Sequence, residues 1–153
     1  MIEGVKIKQL QVFKDERGYL MELLRSDDII FEKFGQVYLT VAYPGVIKGW
    51  HWHKKQNDFF VVVKGNAKVV LYDIRENSKT KGKVEEFIMG EKNPILLKIP
   101  SMVAHGFTPI GDNPCFLINC PTEVYNREKP DEERLPFNTD KIPYNWGENK
   151  RGG

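Results

Sequence analysis

The stretch that decides the fold is GVIKGWHWHKKQNDFFVVVKG, residues 45–65. It places His51 and His53 one residue apart at the end of an apolar segment, and Asp58 follows five residues after the second histidine. Alternate residues of a strand point to the same face, so this spacing predicts that both imidazoles share one face and that Trp52 points the other way. Two imidazoles that converge on one side of a sheet indicate either a metal site or an acid–base site.

The third histidine, His105, lies five residues after Pro100 and directly before Gly106. The spacings Gly-x5-His-x-His-x4-Asp-x6-Gly and Pro-x4-His resemble the two motifs of the cupin superfamily. This resemblance implies an all-β cupin, a double-stranded β-helix (jelly-roll) barrel, with the three histidines and the acid pointing into its lumen. Asp58 stands where glutamate is usual, and Met102 stands where a glycine is expected.

Short runs with a period of two dominate the rest of the chain, and glycine, proline and asparagine separate them, which is typical of a β-sandwich or barrel. Asp27–Phe34 reads instead as a short helix capped by Asp28. Pro130–Arg134 is expected to be an exposed segment that covers the pocket, and Gly152-Gly153 is expected to be disordered. The predicted strands cover residues 36–42, 59–63, 66–74, 85–89, 95–99 and 115–118.

Length and charge restrict the class of protein. The 153 residues suit one domain, and we expect a single cupin domain over 1–153 with an irregular polar tail from about residue 121. A net charge of +2 gives no case for a nucleic-acid or membrane partner. The absence of a long apolar run and the two cysteines, which we read as reduced core residues Cys115 and Cys120, predict a cytoplasmic protein.

A longer series of motifs is similar to the dTDP-4-dehydrorhamnose 3,5-epimerase family. In chain order the matching segments are DERGYLME (15–22), FGQVYLT (34–40), GVIKGWH (45–51), DIRENSKTKG (73–82), IPSMVAHGF (99–107) and IPYNW (142–146). The resemblance implies an isomerase that acts on a dTDP-4-keto-6-deoxy sugar in the synthesis of surface polysaccharides such as lipopolysaccharide. It also implies a homodimer and a reaction that requires no cofactor.

The same resemblance implies roles for single residues. His51 would be the base that removes the proton next to the ketone, and His105 would orient the sugar. Lys48 stands where the family has arginine, so it would contact the phosphate as a single point charge rather than through a bidentate guanidinium. The residues expected to bind the nucleotide sugar are Arg17, Glu22, Gln36, Lys48 and His105.

Three family positions carry other residues in this chain. The lysine placed to stabilise the enolate falls at Asp58, the tyrosine acid falls at Ile118, and the aspartate that partners the histidine falls at Thr139, beside Asp140. An active site without these three groups must use other residues for the same steps. A sugar-nucleotide ligand is still expected.

The departures suggest a metal-dependent alternative. Asp58 replaces the lysine where a cupin metal ligand belongs, so a divalent metal, zinc above all, could be held by His51, His53, Asp58 and His105. Such an ion could polarise the ketone as a Lewis acid, but His51 could not then be a free base. Candidate proton donors in that case are Tyr38, Tyr43 and Tyr125.

Further alternatives stay open at this point. The run Lys48–Lys55 resembles sugar-nucleotide 3,4-ketoisomerases, in which His51 and His53 would shuttle protons with Tyr38 on the preceding strand. A metal-binding cupin with unrelated chemistry and a sugar-binding cupin without activity are the two remaining classes.

Overall fold

Two antiparallel sheets face each other across an apolar interior. The computed structural model describes residues 1–148 and 150–152; Asn149 and Gly153 lie outside the described residues. The strands are β1 (Lys6–Gln9), β2 (Val12–Asp15), β3 (Gly18–Met21), β4 (Tyr38–Ala42), β5 (Val46–Trp52), β6 (Asp58–Lys64), β7 (Asn66–Asp73), β8 (Val84–Gly90), β9 (Ile95–Ile99), β10 (Val103–Pro109), β11 (Cys115–Asn119), β12 (Glu133–Arg134) and β13 (Arg151–Gly152).

The strand order explains how distant motifs meet. The first sheet runs β1-β9-β6-β11-β4, and the second runs β12-β5-β10-β7-β8 with β13 paired to the side of β5. Strands β2 and β3 form a separate hairpin. Because β5 and β10 are neighbours in the second sheet while β6 lies in the first, the two histidine motifs and Asp58 can meet between the layers. This arrangement is the cupin jelly roll that the motifs predict.

The interior follows the period of two in the central strands. Phe60 and Val62 of β6 pack against Val69 and Leu71 of β7 in one buried cluster. The alternate residue Phe59 packs on the outer face of the first sheet, beneath the N-terminal segment. Strand β6 is therefore buried on both faces, which explains its continuous apolar run.

The tail covers the outer face of the second sheet and is more ordered than the sequence indicated. Ile142 and Trp146 are buried against Ile47, Trp50 and neighbouring side chains. Apart from the two-residue strands β12 and β13 the described tail has no regular secondary structure, and apolar residues spaced along this polar segment anchor it to the sheet. Gly152 likewise pairs with Ile47 through β13, contrary to the expected disorder, whereas Gly153 lies outside the described residues.

The predicted helix at Asp27–Phe34 is absent from the described residues, which form turns there. The Asp28 carboxylate accepts hydrogen bonds from the backbone N–H of Arg25 at 2.8 Å and from Lys8 at 2.5 and 2.6 Å. These contacts tie the segment to β1 instead of starting a helix. Within the described residues no helix is both long and apolar enough to cross a membrane.

Candidate active site

The centre of the site is a direct cross-strand pair. His105 of β10 lies opposite His51 of β5, and the register shifts immediately after it, between His105 and Gly106. Gly49 has a φ of 150°, and a Cβ at this position would lie 2.5 Å from the Cα of Gly106. Glycine at position 49 therefore allows the two backbones to approach closely beside the histidines.

All three imidazoles converge, as the sequence predicts. The ring centroids lie 4.1 Å apart for His51 and His105, 5.7 Å for His51 and His53, and 5.9 Å for His53 and His105. One ring nitrogen from each lies within 4.8 Å of the others. Backbone carbonyls fix two of the rings: Nδ1 of His53 donates to Asp131 O at 2.5 Å, and Nδ1 of His105 donates to Val103 O at 2.9 Å.

Asp58 lies beneath the imidazoles and is 1% exposed. Its Oδ2 is 3.3 Å from Nε2 of His53 and 3.3 Å from Nε2 of His105. Its Oδ1 accepts hydrogen bonds from Gln56 at 2.8 Å and from Asn119 at 2.7 Å. The carboxylate is thus held by two amides on one side and faces two imidazoles on the other.

Burial and charge set the protonation of this cluster. Burial lowers the pKa of His51, and the neighbouring histidines lower it further, so this imidazole is neutral at pH 7. Burial would also lower the pKa of His53, but the Asp58 carboxylate outweighs it and raises that pKa. Burial would raise the pKa of Asp58, yet the imidazoles of His105 and His53 hold it well below its usual range.

His51 opens into a cavity of about 410 Å³ between the sheets. Lys48 and Arg134 supply two cationic groups to its wall, and Tyr38 supplies a hydroxyl. Nζ of Lys48 donates to Thr40 Oγ1 at 2.8 Å, and Arg134 is paired with Glu132 at 2.9 Å. The remaining wall is formed by Gly49, Trp50, Phe60, Phe107 and Leu135.

A second cavity of about 390 Å³ opens on the other side of Tyr38. It exposes His53 together with Gln36, whose Oε1 accepts a hydrogen bond from the backbone N–H of Tyr125 at 3.2 Å. Tyr38, Glu132 and Arg134 line both cavities. The prediction that Pro130–Arg134 covers the pocket is therefore confirmed for Glu132 and Arg134.

The proposed binding residues do not all lie at this place. Lys48 lines the first cavity and Gln36 the second, while His105 is 1% exposed beneath them. Arg17 lies at the tip of the β2–β3 hairpin, bound to Asp15 and lining a separate surface groove. Glu22 pairs with Arg25 at 2.7 Å just after that hairpin.

The structure also brings in residues that the sequence reasoning missed. Asn119 rather than Ile118 faces the site, because adjacent residues of β11 point to opposite faces and Asn119 lies on the same side as buried Leu117. The alternation of Cys115, Leu117 and Asn119 could have shown this. Asp131 was missed as well: its carboxylate accepts hydrogen bonds from the backbone N–H groups of residues 54, 55 and 56 at 2.8, 2.9 and 3.1 Å.

A jelly roll with neutral His51, a tyrosine hydroxyl and two cations around one cavity defines a small cupin with an enzyme-like site. The comparisons with known proteins give its family. The family model of dTDP-4-dehydrorhamnose 3,5-epimerase matches residues 1–151. The chain therefore belongs to the dTDP-4-dehydrorhamnose 3,5-epimerase family, which confirms the predicted fold and the predicted enzyme class.

Individual relatives agree with this assignment. The chain is 48% identical to the spore coat polysaccharide biosynthesis protein SpsL of Bacillus subtilis, covering 95% of this chain and 97% of the relative. It is 44% identical to the probable low-salt glycan biosynthesis epimerase Agl13 of Haloferax volcanii, covering 95% and 94%. A crystal structure of a dTDP sugar isomerase from Desulfovibrio desulfuricans G20 superimposes with a TM-score of 0.90 at 34% identity, covering 95% and 92%.

Proposed function

We propose that the protein is a nucleotide-sugar epimerase that moves protons alpha to the ketone of a dTDP-4-keto-6-deoxy sugar during surface polysaccharide synthesis. The observation that carries the proposal is the common cavity of His51 and Tyr38, a base and an acid that reach it from strands of different sheets. Membership of the epimerase family and the glycan-related names of the two relatives support the substrate class.

The protonation states of these two groups suit the two half-reactions. A neutral His51 can accept the proton that leaves the carbon next to the ketone. Burial and the nearby Asp58 carboxylate raise the pKa of Tyr38 to about 12, so its hydroxyl keeps a proton to return. Because side chains carry both steps, the proposed reaction requires no cofactor.

Positive charge in the cavity supports the same proposal. Removing a proton alpha to a ketone places negative charge on the ketone oxygen, and nearby cations stabilise that charge. Lys48 and Arg134 supply such charge in this chain, in which the family's lysine position holds Asp58. The same cations suit the diphosphate of a nucleotide sugar.

An exchange experiment tests the proposal. The full chain is incubated with dTDP-4-keto-6-deoxyglucose in D2O, and deuterium at each sugar carbon is read by NMR and mass spectrometry. We expect label at C3, at C5 or at both, with inversion at the labelled carbon. His51→Asn should abolish exchange, whereas Asp112→Asn, on the exposed turn before β11, should leave it unchanged. Wild-type protein that exchanges neither carbon would contradict the proposal.

A 3,4-ketoisomerase is the second candidate, because His53 opens to the second cavity beside the Tyr38 hydroxyl. Two imidazoles with ring centroids 5.7 Å apart could pass a proton between adjacent carbons. The same incubation separates the candidates: label at C4 with the ketone moved to C3 would favour the ketoisomerase over the epimerase.

We further propose that the enzyme works in the cytoplasm as a homodimer. The free thiols of Cys115 and Cys120 support a reducing compartment. The β2–β3 hairpin exposes Phe13 and Leu20, which supports burial against a second copy. In such a dimer the hairpin could carry Arg17 toward a partner's cavity, the setting in which its proposed role in substrate binding applies.

A further inference from the structure

We propose that Asn119 is a positioning residue that holds the Tyr38 hydroxyl with its proton turned into the cavity space, where the sugar can receive it. The inference rests on the proposed function, in which Tyr38 returns a proton after His51 has removed one. It gives a task to a buried amide that itself lines neither cavity. Three observations carry it: the register of the strands, the orientation of the amide and the hydrogen-bonding capacity of a phenol.

Strand pairing places the three side chains together. Asn119 of β11 lies directly opposite Tyr38 of β4 and, on its other side, opposite Phe60 of β6. Asp58 precedes Phe60 by two residues in β6, so it points to the same face and is a diagonal neighbour of Asn119. The amide therefore lies between the tyrosine at the edge of the first sheet and the carboxylate in the middle of that sheet.

The orientation of the amide is fixed by its partners. Its Oδ1 accepts a hydrogen bond from the backbone N–H of Phe59 at 2.9 Å, and a backbone N–H can only donate. The amide oxygen must therefore face Phe59, which leaves Nδ2 to donate to Asp58 Oδ1 at 2.7 Å and to the Tyr38 hydroxyl at 2.9 Å. Both protons of Nδ2 are used in this way. Because Asn119 is 1% exposed, water does not compete for them.

The same contact fixes the hydroxyl proton of Tyr38. A phenol oxygen can both donate and accept, but an amide N–H can only donate. Tyr38 must therefore accept from Asn119, and its own O–H proton points away from the amide. Among the described residues no other group hydrogen-bonds to this hydroxyl, and the tyrosine lines both cavities. The proton is thus directed into open space, which in the first cavity is shared with His51.

The amide also separates the proposed acid from a competing acceptor. An ionised carboxylate is a stronger acceptor than a neutral group, and the Asp58 carboxylate accepts from the same nitrogen as the Tyr38 hydroxyl. A tyrosine that donated to this carboxylate would turn its proton into the protein and away from the substrate. Asn119 presents a donor to each of the two oxygens, so it satisfies the carboxylate and leaves the phenol proton free.

The variant Asn119→Asp tests this orientation in the D2O incubation proposed for the epimerase. Its carboxylate has nearly the shape of the amide but no N–H, so the Tyr38 proton is drawn toward it. We expect inversion to slow by at least about 10-fold relative to deuterium exchange, because His51 still removes and returns a proton on its own face. Gln56→Glu is the matched control: it also replaces an amide that donates to Asp58 Oδ1, at 2.8 Å, but that amide does not bind the tyrosine. Its ratio of inversion to exchange should stay within about twofold of the wild type.

A double variant separates positioning from a general loss of structure. If Asn119 acts through Tyr38, adding Asn119→Asp to Tyr38→Phe should change the ratio of inversion to exchange by less than about twofold, because the acid is already absent. A further fall in the double variant, an unchanged ratio in Asn119→Asp or an equal fall in Gln56→Glu would overturn the inference while leaving the epimerase function intact. A wild type that exchanges neither carbon would instead contradict the proposed function, and Asn119 would have no acid to position.

A measurement on the wild type does not depend on whether Asn119→Asp folds. Neutron diffraction from crystals of the deuterated full chain, without substrate, locates the deuterium atoms on Asn119 and Tyr38. We expect the two Nδ2 deuterons on Asp58 and on the phenol oxygen, and the hydroxyl deuteron in the cavity space. A hydroxyl deuteron directed at Asn119 or Asp58 would overturn the inference.

Discussion

Tyr38 forms part of the wall between the two cavities, and its position connects the proposed acid to the buried cluster of Asp58. Its hydroxyl accepts a hydrogen bond from Asn119 at 2.9 Å, and Asn119 also binds the Asp58 carboxylate. One amide therefore links the proposed acid to the buried cluster below. The sequence indicated the tyrosine but not the amide, because the resemblance placed the family's acid at Ile118, whose side chain points to the other face of β11.

Replacing Tyr38 by phenylalanine should separate the two half-reactions. The base at His51 is untouched, so the variant should still exchange deuterium alpha to the ketone. Without the hydroxyl proton, inversion should slow by about 100-fold or more, within the usual range for loss of a general acid. Product formed by Tyr38→Phe is compared with that formed by Tyr43→Phe, a matched change at a tyrosine that is exposed and lines neither cavity, although the sequence made it a candidate donor. Inversion at the wild-type rate would remove Tyr38 from the mechanism.

A turn at the end of β7 shows how one buried carboxylate stabilises an element. The Asp73 carboxylate accepts hydrogen bonds from Arg75 at 2.8 Å, Ser78 at 2.6 Å and Thr80 at 2.7 Å, and the residue is fully buried. Burial would raise the pKa of Asp73, but these donors hold it far below the usual range. The motif DIRENSKTKG is therefore explained by turn geometry rather than by substrate binding.

Asp73→Asn should lower the free energy of unfolding at pH 7 by about 1–3 kcal/mol, because the hydrogen-bond donors of Arg75, Ser78 and Thr80 lose their charged acceptor. The folded-state pKa lies below that of the unfolded chain, so the carboxylate stabilises the wild type above pH about 4, and this contribution is lost as the pH falls below that value. Urea unfolding at pH 7 and pH 3 should show the gap between wild type and variant narrowing in acid. Asp140→Asn, at an exposed position, serves as the control.

The C-terminal tail behaves as a structural element despite its polar composition. The ring centroids of Trp146 and Trp50 lie 5.0 Å apart, as do those of Trp146 and Tyr144. These aromatic contacts secure the tail to the sheet that carries His51. The apolar residues are too widely spaced along the tail to form a strand pattern, which explains why the sequence indicated an irregular segment.

Trp146→Ala should destabilise the protein by about 3–5 kcal/mol, the range for removing a buried aromatic side chain. Val124→Ala, at a position 70% exposed, should change stability by less than about 0.5 kcal/mol. Urea titrations of both variants test the difference. A small effect of Trp146→Ala would mean that the tail contributes little to the stability of the sheet.

At the scale of the whole molecule, the β2–β3 hairpin is the feature that a single chain leaves unexplained. Leu20 is 60% exposed and Phe13 is 49% exposed on strands that belong to neither main sheet. Arg17 at its tip lines neither cavity of its own chain, and the groove around it is formed by the hairpin itself. A second copy would supply both a cover and a cavity.

Leu20→Glu should shift a dimer toward monomer, because burying the new carboxylate in an apolar contact is costly. Light scattering coupled to size exclusion at several protein concentrations measures the molar mass. Ile110→Glu adds the same charge at an exposed position in the turn after β10 and should leave the mass unchanged. A wild type that is monomeric at every concentration would contradict the dimer.

Period-two patterns and turn residues were sufficient to predict most strands of the jelly roll; Ile95–Ile99 coincides with β9. The histidine cluster was also predictable, because strand parity fixes the face of His51 and His53. The segment Pro130–Arg134 was predicted to cover the pocket, but the individual contacts of Asp131 and Arg134 were not, since nothing local to a polar segment reveals which distant groups its side chains will meet. Long-range contacts of that kind depend on the packing of the whole chain.

The hydrogen bonds of Asp131 to His53 and to the loop after β5 have a consequence for how the protein folds as it is synthesised. Every histidine of the cluster precedes residue 106, but the carbonyl that orients His53 and the side chains of Glu132 and Arg134 that enclose the cavity emerge from the ribosome later. Trp146, which packs against Trp50 of the same sheet, emerges later still. A nascent chain can thus form its two sheets before its catalytic chamber is closed, so truncated translation products would have the barrel without a competent enzyme.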